Sequence, residues 1–413
     1  MSSATGPPIF PVSRGALAWV LALAAAWAAL AAVDYRARDP DSRLYAEISA
    51  RMAQAPAQGW IAPDFPPGWY MSGPFREHPA GLFVPAAALG ALGYPAAQAA
   101  YAVNAVYQVL GIVLLQRLAA TLVPGLEARA LGWLIQLLPI AFTFRVRANH
   151  EAALLLCLLA ALYGTERARR DPRWALLTAA GLVGLLLVKG MLAAFGPVLC
   201  VLWLVSRRLT SEAGRASDRG GWLAVTASVA AMAAVAAAYE HLYRQATGEP
   251  FWSFYVARQL VVASATGGAA SGLAGKLYNL VFYTGRLLWF AFPWSVLLVV
   301  ESWRRRQRSG SAAETARPDA GACAGALFTA AMVAVYVGLF SLSDRRADRY
   351  IFPAYYAVGA AGGVAALRMF APLRQLAARL DRPWVPAAVW AAAFAAHLFA
   401  GRLGLPTVKL WAP

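Results

Sequence analysis

A long polar stretch, residues 34–78, contains the first side chains that could do chemistry. It mixes carboxylates, arginines and aromatic rings, and it directly follows an apolar run. Asp41 in this stretch could act as a general base, accepting a proton at the edge of an apolar region. The same residue also suits an ordinary helix start, with Asp39 as N-cap and Pro40 at the first helical position.

Arg76, Glu77 and His78 form a second polar group in the segment F-R-E-H-P. An arginine beside an imidazole favours a phosphate-binding clamp. Glu77 and His78 are also residue types that bind metals, although two adjacent ligands are a weak signal. Polar residues that anchor the following apolar segment at the lipid headgroups are the structural alternative.

A short polar turn, R-V-R-A-N-H-E, separates two apolar runs and contains Arg147, His150 and Glu151. Glu151 would supply a second carboxylate for acid–base or metal-assisted chemistry, although an acidic residue is favoured at any helix N-terminus. Whether a divalent metal ion binds is left open by the sequence, and the candidate ligands are Asp41, Glu77, His78, His150 and Glu151.

Two basic sites complete the set. Lys189 is one of only three lysines and lies between two apolar runs, where an ionisable group is costly and usually functional. The structural alternative is a lysine at a helix end whose side chain extends to the membrane–water interface. Segment 343–350 places three arginines, among them Arg346 and Arg349, before another apolar run, which favours a bound anion there.

The composition defines the class of protein. The chain has 413 residues, 60% of them hydrophobic and only 14% charged. Apolar runs of spanning length recur along the whole sequence, so we expect a single polytopic membrane domain over residues 1–413, without a separate soluble C-terminal domain. The net charge of +17 comes from arginines in short loops, which indicates membrane topology and lipid phosphates as partners and not nucleic acid. The three cysteines lie in apolar runs and indicate no disulfide framework.

Span length and apolar content predict an all-α bundle of about eleven transmembrane helices. The expected spans are 15–33, 98–121, 129–145, 151–166, 173–189, 191–206, 221–240, 277–300, 321–341, 351–369 and 384–403. Four basic loops, at 166–173, 207–220, 304–308 and 368–382, then lie in the cytoplasm. The N-terminus is accordingly cytoplasmic, and the polar segments gather on the opposite face.

Two loops on that opposite face are expected to carry interfacial helices. In the first, residues 34–97, the spacing of Leu44, Ile48 and Met52 predicts an amphipathic helix, and 79–94 is apolar but too short to span a bilayer. The second loop, residues 241–276, contains an aromatic group, F-W-S-F-Y, that would close the site.

The order of these segments resembles the C-type membrane glycosyltransferases, in particular the group of lipid A aminoarabinose transferases and protein O-mannosyltransferases. The resemblance covers residues 15–370 and rests on the order of several short motifs. The matching positions are Asp41, Tyr45, Ala46, Glu47 and Ile48; Gly59, Trp60 and Pro63; Phe75, Glu77, His78 and Pro79; Glu151; Lys189 and Gly190; Pro293 and Trp294; and Arg349, Tyr350 and Pro353.

The resemblance implies a glycosyltransferase in the bacterial cytoplasmic membrane, with its site on the periplasmic side. The donor would be a sugar on a polyprenyl phosphate, and the acceptor a glycan, lipid or protein. Asp41 would be the general base of an inverting transfer, with Glu151 as the second catalytic carboxylate. Residues implied in substrate binding are Tyr45, Glu47, Arg76, Glu77, His78, Arg147, Lys189, Arg346, Arg349 and Tyr350.

The chain departs from the family pattern at two positions. His78 replaces a lysine, so the phosphate-binding role there could pass to Arg76, and Glu151 replaces an aspartate. Two other classes of function stay open from sequence. A transporter or flippase of a lipid-linked sugar usually shows internal repeats and ionisable groups near the bilayer midplane, whereas this sequence shows no repeat and its expected spans are nearly free of charge. A non-catalytic membrane scaffold would leave the dense polar face unexplained.

Overall fold

A computed structural model describes residues 39–123, 125–144, 147–210, 218–258, 272–309, 320–343, 346–382 and 388. This described part is built from α-helices joined by short 3-10 turns and loops. In chain order its helices are α1 (Pro40–Met52), α2 (Ala57–Ile61), α3 (Val84–Ala91), α4 (Ala96–Ala119), α5 (Leu126–Leu134), α6 (Pro139–Phe144), α7 (His150–Ala168), α8 (Ala175–Lys189), α9 (Phe195–Thr210), α10 (Arg219–Thr247), α11 (Trp252–Val256), α12 (Leu273–Phe290), α13 (Trp294–Ser309), α14 (Ala320–Ser341), α15 (Phe352–Met369) and α16 (Ala371–Leu380).

Among the described residues, five helical segments are long and apolar enough to cross a membrane. They are Gln98–Ala119, Pro172–Lys189, Arg219–Thr247, Ala320–Ser341 and Asp348–Met369. The bent pair α12 and α13 would make a sixth span if it is counted as one. The prediction of about eleven spans is therefore not confirmed, and the expected spans 15–33 and 384–403 lie outside the described residues, Ala388 apart.

Two expected spans are interrupted at prolines. The segment 129–145 divides into α5, a 3-10 turn and α6, with Leu138 extended immediately before Pro139. The segment 277–300 is bent by 97° between α12 and α13, where Pro293 directly precedes α13. Proline lacks the backbone N–H of a helix interior and disfavours helical backbone in the residue before it, which explains both breaks.

The antiparallel pair α7 and α8 forms the centre of the described bundle. Its helices approach closely because Gly181 and Gly164 have no side chain at the contact. A Cβ on Gly181 would lie 2.5 Å from backbone atoms of α7, and a Cβ on Gly164 would lie 2.5 Å from the backbone of α8. Small residues allow such contact between helices in a membrane. Because α7 begins where α8 ends, Glu151 in the first turn of α7 lies beside Lys189 at the end of α8.

The amphipathic helix predicted after Asp39 is confirmed as α1. The Asp39 carboxylate caps it by accepting a hydrogen bond from the Ser42 amide at 3.2 Å, and Pro40 is the first helical residue. The predicted apolar face of α1 is buried, with Leu44, Ile48 and Met52 at most 2% exposed. Asp41 and Tyr45 lie on the same side of α1 as Leu44 and Ile48, since residues three or four positions apart share one face of a helix.

The apolar segment 79–94 forms a 3-10 turn, Ala80–Leu82, followed by the eight-residue helix α3. At 1.5 Å per residue α3 is ~12 Å long, well short of a hydrocarbon core of ~30 Å. Its buried residues, Ala86 and Ala87, pack towards α1 and α4. That this segment lies at the membrane interface stays a prediction.

Candidate active site

Five separate chain segments bring their polar side chains together at one end of the bundle. Each segment lies where a helix begins or ends: the first two turns of α1, the loop before Ala80, the first turn of α7, the last residue of α8, and the 3-10 turn Asp348–Ile351 before α15. We call the side chains they contribute the polar cluster, which consists of Asp41, Tyr45, His78, His150, Glu151, Lys189 and Arg349.

Arg349 joins the two carboxylates that the sequence singled out. Its guanidinium forms an ion pair with Asp41, and its Nε lies 3.8 Å from Glu151 Oε1. Glu151 is only 1% exposed, whereas Asp41 and Arg349 are 33% and 28% exposed. One carboxylate of the cluster is therefore reached from solvent, and the other is enclosed behind the arginine.

Lys189 contacts both histidines of the cluster. Its Nζ lies 2.8 Å from His78 Nε2 and 3.4 Å from His150 Nδ1. The opposite ring nitrogen of His150, Nε2, is 3.1 Å from Glu151 Oε1. The cluster thus continues from Asp41 through Arg349, Glu151 and the histidines to Lys189.

His78 is held in its neutral form by its surroundings. Burial lowers the pKa of its imidazole well below the usual value, and the nearby positive charge of Lys189 lowers this pKa further. A neutral ring can accept a hydrogen bond from Lys189 at Nε2, which assigns the ring proton to Nδ1. We therefore assign His78 as a hydrogen-bond acceptor for Lys189 and not as a cation.

Tyr45 lies one turn after Asp41 on α1, and its hydroxyl is 3.1 Å from His78 Nε2. Burial raises the pKa of this phenol well above its usual value, and the negative charge of Asp41 raises that pKa further. Tyr45 accordingly keeps its proton and offers an O–H donor in the middle of the cluster.

The loop after α6 is docked onto the start of α1. Ser42 Oγ accepts a hydrogen bond from the Ala148 amide at 3.1 Å, and Asn149 donates to Asp39 Oδ2 at 3.2 Å. The Arg147 guanidinium lies 3.8 Å from Asp39 Oδ1 and over the ring of Phe144. Arg147 therefore helps to set α1 against α7 but is not among the cluster side chains.

Tyr255 of α11 fixes the end of α8. Its hydroxyl donates a hydrogen bond to the Lys189 carbonyl at 2.7 Å. The next residue, Gly190, has φ +60°, and a Cβ at Gly190 would lie 2.7 Å from the Tyr255 ring. Glycine adopts this left-handed backbone without strain, so the chain can turn directly after Lys189 while Tyr255 packs against it.

Arg76 and Glu77, expected to bind substrate, pair with the second loop instead of the cluster. Arg76 forms an ion pair with Glu249 and donates from Nε to the Tyr243 hydroxyl at 3.2 Å. Glu77 lies 3.0 Å from the Arg258 guanidinium. These two ion pairs connect the first and second loops beside His78.

Three further candidates lie outside the polar cluster. The exposed Glu47 accepts a hydrogen bond from the Trp69 indole at 3.0 Å. Arg346 lies over the ring of Tyr278, and Tyr350 stacks on Phe340 with ring centroids 5.1 Å apart. The expected grouping of substrate-binding residues is thus divided between the cluster and its surroundings.

The candidate metal ligands do not form a ligand group in the part of the chain that the structure describes. Glu77 pairs with Arg258, while Arg349 lies between the two carboxylates and Lys189 between the two histidines. A cation at each of these positions competes with a metal ion for the same donor atoms.

Sequence reasoning did not single out the tyrosines and ion-pair partners that hold the first loop in place. The Tyr239 hydroxyl, on α10, accepts a hydrogen bond from the Ala80 amide and donates one to the Ile61 carbonyl, both at 3.0 Å. The sequence signal that could have identified them was the presence of tyrosines near the end of a long apolar helix. Their partners lie more than 150 residues away in sequence, so spacing alone could not identify them.

Comparison with known structures finds proteins of similar fold. ArnT from Cupriavidus metallidurans bound to undecaprenyl phosphate matches with a TM-score of 0.63 and 18% identity, covering 95% of this chain and 65% of ArnT. ArnT in the apo state gives a TM-score of 0.58 and 19% identity, with 95% and 64% covered. The oligosaccharyltransferase of Archaeoglobus fulgidus, in complex with zinc and sulfate, gives a TM-score of 0.54 and 13% identity, with 90% and 53% covered.

The chain thus spans about two thirds of the length of ArnT and about half that of the oligosaccharyltransferase. No protein-family model and no curated protein matches its sequence. The two neighbouring proteins are both C-type membrane glycosyltransferases. The resemblance inferred from the motif order is confirmed at the level of fold, and the chain has the fold of the C-type membrane glycosyltransferases.

Proposed function

We propose that this protein is a glycosyltransferase that moves a sugar from a polyprenyl phosphate to an acceptor at the non-cytoplasmic face of a bacterial cytoplasmic membrane. The observation that carries the proposal is the polar cluster, in which the partly exposed carboxylate of Asp41 pairs with Arg349 and a second basic group, Lys189, lies beside His78. A sugar phosphate needs both, because the acceptor loses a proton while the phosphate leaves with negative charge.

In the proposed reaction, the acceptor oxygen attacks the anomeric carbon of the donor sugar and passes its proton to Asp41. The bond between that carbon and the phosphate oxygen breaks, and the polyprenyl phosphate leaves with the electron pair. Attack from the side opposite the phosphate inverts the configuration at the anomeric carbon. Arg349 and Lys189 stabilise the charge that develops on the departing phosphate.

Asp41 and Arg349 form an ion pair that must open before Asp41 can act as a base. A carboxylate paired with an arginine is poorly placed to accept a proton. We propose that the donor phosphate takes over the Arg349 guanidinium, which frees Asp41 for the acceptor. Glu151, 3.8 Å from Arg349 Nε and enclosed, would then keep the guanidinium aimed at the phosphate.

His78 would position Lys189 instead of binding phosphate itself. A neutral imidazole carries no positive charge, so this residue does not replace the family's lysine in function. As a hydrogen-bond acceptor 2.8 Å from Lys189 Nζ, it would hold the amine towards the site. Arg76, paired with Glu249, is a part of the loop connection in this proposal and not the substitute phosphate ligand.

Lipid binding provides a direct test. Undecaprenyl phosphate would be titrated into the purified protein and into two variants, Lys189→Gln and Lys276→Gln, which lose the same charge. Lys276 lies on α12, outside the polar cluster. A charge-assisted hydrogen bond contributes ~1.5–3 kcal/mol, so Lys189→Gln should weaken binding about 10- to 150-fold.

Lys276→Gln should bind undecaprenyl phosphate like the unchanged protein. Equal losses in the two variants would show that the phosphate senses only the overall charge of the surface. Unchanged binding in Lys189→Gln would remove Lys189 from the proposed phosphate site.

A further inference from the structure

A second site is suggested by an apolar cavity that begins about one turn after the polar cluster and extends to the opposite end of the bundle. The cavity has a volume of about 190 Å³ and lies between α4, α7, α13, α14 and α15. Its walls are mainly aliphatic, including Leu115, Leu118, Leu155, Leu158 and Met332. None of the seven cluster residues lines it.

The cavity is long enough for a lipid chain. Its lining on α15 runs from Pro353 to Arg368, a rise of ~22 Å at 1.5 Å per residue. One leaflet of the hydrocarbon core is ~15 Å deep, half of the ~30 Å core. An apolar space of this shape is unfavourable for water, and leaving it empty forfeits dispersion contacts, so an acyl chain is the occupant that its walls fit.

The charged residues of the cavity lie at one end. Arg368 is in the last turn of α15, and Arg305 and Glu301 lie one turn apart on the second half of α13. Arg305 pairs with Glu301 at 2.8 Å, so two arginines and one glutamate leave this mouth with a net positive charge. The mouth belongs to the basic loops 304–308 and 368–382, which the sequence assigns to the cytoplasmic side.

Part of the cavity wall on α14 is exposed at the protein surface. Ala326 lines the cavity and is exposed, while Ala330, one turn further along α14, is exposed but does not line it. The small residues Gly321, Ala322 and Gly325 line the same wall of α14. A Cβ on Gly321 would lie 2.0 Å from the Leu122 carbonyl oxygen, so these small residues let α14 pack closely beside the cavity.

We propose that this cavity binds one anionic phospholipid of the leaflet opposite the polar cluster, with an acyl chain between the helices and the headgroup phosphate on Arg305 and Arg368. Basic pockets between transmembrane helices are suited to anionic headgroups, whereas a zwitterionic headgroup gains less from the same arginines. This site is separate from the proposed transfer reaction and does not depend on it.

Native mass spectrometry of the detergent-purified full chain tests the proposal. Phosphatidylglycerol and phosphatidylcholine with identical acyl chains would be titrated into the delipidated protein. One phosphatidylglycerol should bind at least tenfold more tightly than phosphatidylcholine. Equal affinities for the two lipids would overturn the charge-based part of the site and with it the proposal.

Two matched pairs of variants locate the binding. Arg368→Gln should weaken phosphatidylglycerol binding at least tenfold, and Arg374→Gln, on the exposed side of α16, should change it less than twofold. Ala326→Phe should fill the cavity and weaken binding of both lipids, whereas Ala330→Phe should not. Equal effects within either pair would contradict the assigned location. Should Ala326→Phe not fold, the arginine pair alone decides.

Undecaprenyl phosphate provides the last arm of the same experiment. If it displaces phosphatidylglycerol and is itself lost in Ala326→Phe, the cavity holds the polyprenyl chain of a donor, and the phospholipid proposal is wrong. If undecaprenyl phosphate binds equally in Ala326→Phe and in the unchanged protein, the two lipids occupy different sites, as proposed.

Discussion

The enclosed carboxylate Glu151 should depend on Arg349 for its place in the folded protein. At the observed separation of 3.8 Å, two unit charges interact by about 4 kcal/mol at an effective dielectric constant of 20. Arg349 is 28% exposed, so water reduces this value. We therefore expect an interaction free energy of ~2 kcal/mol between the two side chains, within the range measured for neighbouring charged groups.

A double-mutant cycle measures this interaction. Arg349→Gln leaves Glu151 buried without its counter-charge and should lower the free energy of unfolding by ~3 kcal/mol. Glu151→Gln removes the charge but keeps the shape of the side chain, so it should cost less. In the double variant the unpaired charge is absent, so its loss should be smaller than the sum of the single losses by ~2 kcal/mol.

The assay is chemical unfolding of the three variants and the unchanged protein in one detergent, followed by circular dichroism. Arg286→Gln is the control, because the pair of Arg286 with Asp348 is more exposed, at 39% and 28%, and should contribute less than ~1 kcal/mol. Single losses that add within ~0.5 kcal/mol would refute the reasoning, because Glu151 would then not depend on Arg349.

Three further outcomes follow from the structure. Gly190→Ala should destabilise the protein by ~1–3 kcal/mol, because Gly190 has a left-handed φ. Gly338→Ala, in a helix with open space around it, should be neutral or stabilising. A neutral effect of Gly190→Ala in thermal unfolding would contradict the turn described at Gly190. Because the pKa of His78 is lowered in the folded protein, only the unfolded chain binds a proton at this imidazole near pH 6.5. The free energy of unfolding should therefore fall as the pH falls below about 6.5, and His78→Gln should reduce this dependence on pH. Tyr239→Phe should cost ~1–3 kcal/mol, because it leaves the buried Ala80 amide and the partly buried Ile61 carbonyl without this partner, whereas the exposed Tyr278→Phe should cost much less. Equal effects of the two substitutions on the free energy of unfolding would contradict the bridging role of Tyr239.

The parts of the site that could be predicted are those set by local sequence. Asp41 and Tyr45 share a helix whose N-cap and apolar spacing are visible in the sequence, and the structure shows the same helix. Lys189 and Glu151 each lie at the boundary of an apolar run, where an ionisable residue is unusual enough to be noticed. Because α7 and α8 are consecutive and antiparallel, the start of α7 lies near the end of α8, so these two residues could be expected to share a site.

The partners of Arg76 and Glu77 could not be predicted in the same way. Glu249 and Arg258 follow these residues by more than 170 positions, and many charged residues on the same face were equally plausible partners. The breaks in the expected spans had a visible cause in Pro139 and Pro293. Apolar content alone predicts continuous spans at 129–145 and 277–300, whereas in the structure both segments are divided at these prolines.

The central claim is that Asp41 takes part in transfer of a sugar from a polyprenyl phosphate. The most direct measurement is lipid mass spectrometry on cells that lack this protein, on a complemented strain and on a strain with Asp41→Asn. The account predicts that one polyprenyl-phosphate sugar accumulates, and that this sugar disappears from a surface glycan, in the deletion and in the Asp41→Asn strain alike. Normal lipid-linked sugars and glycans in the Asp41→Asn strain, with the variant inserted at its usual level, would contradict it.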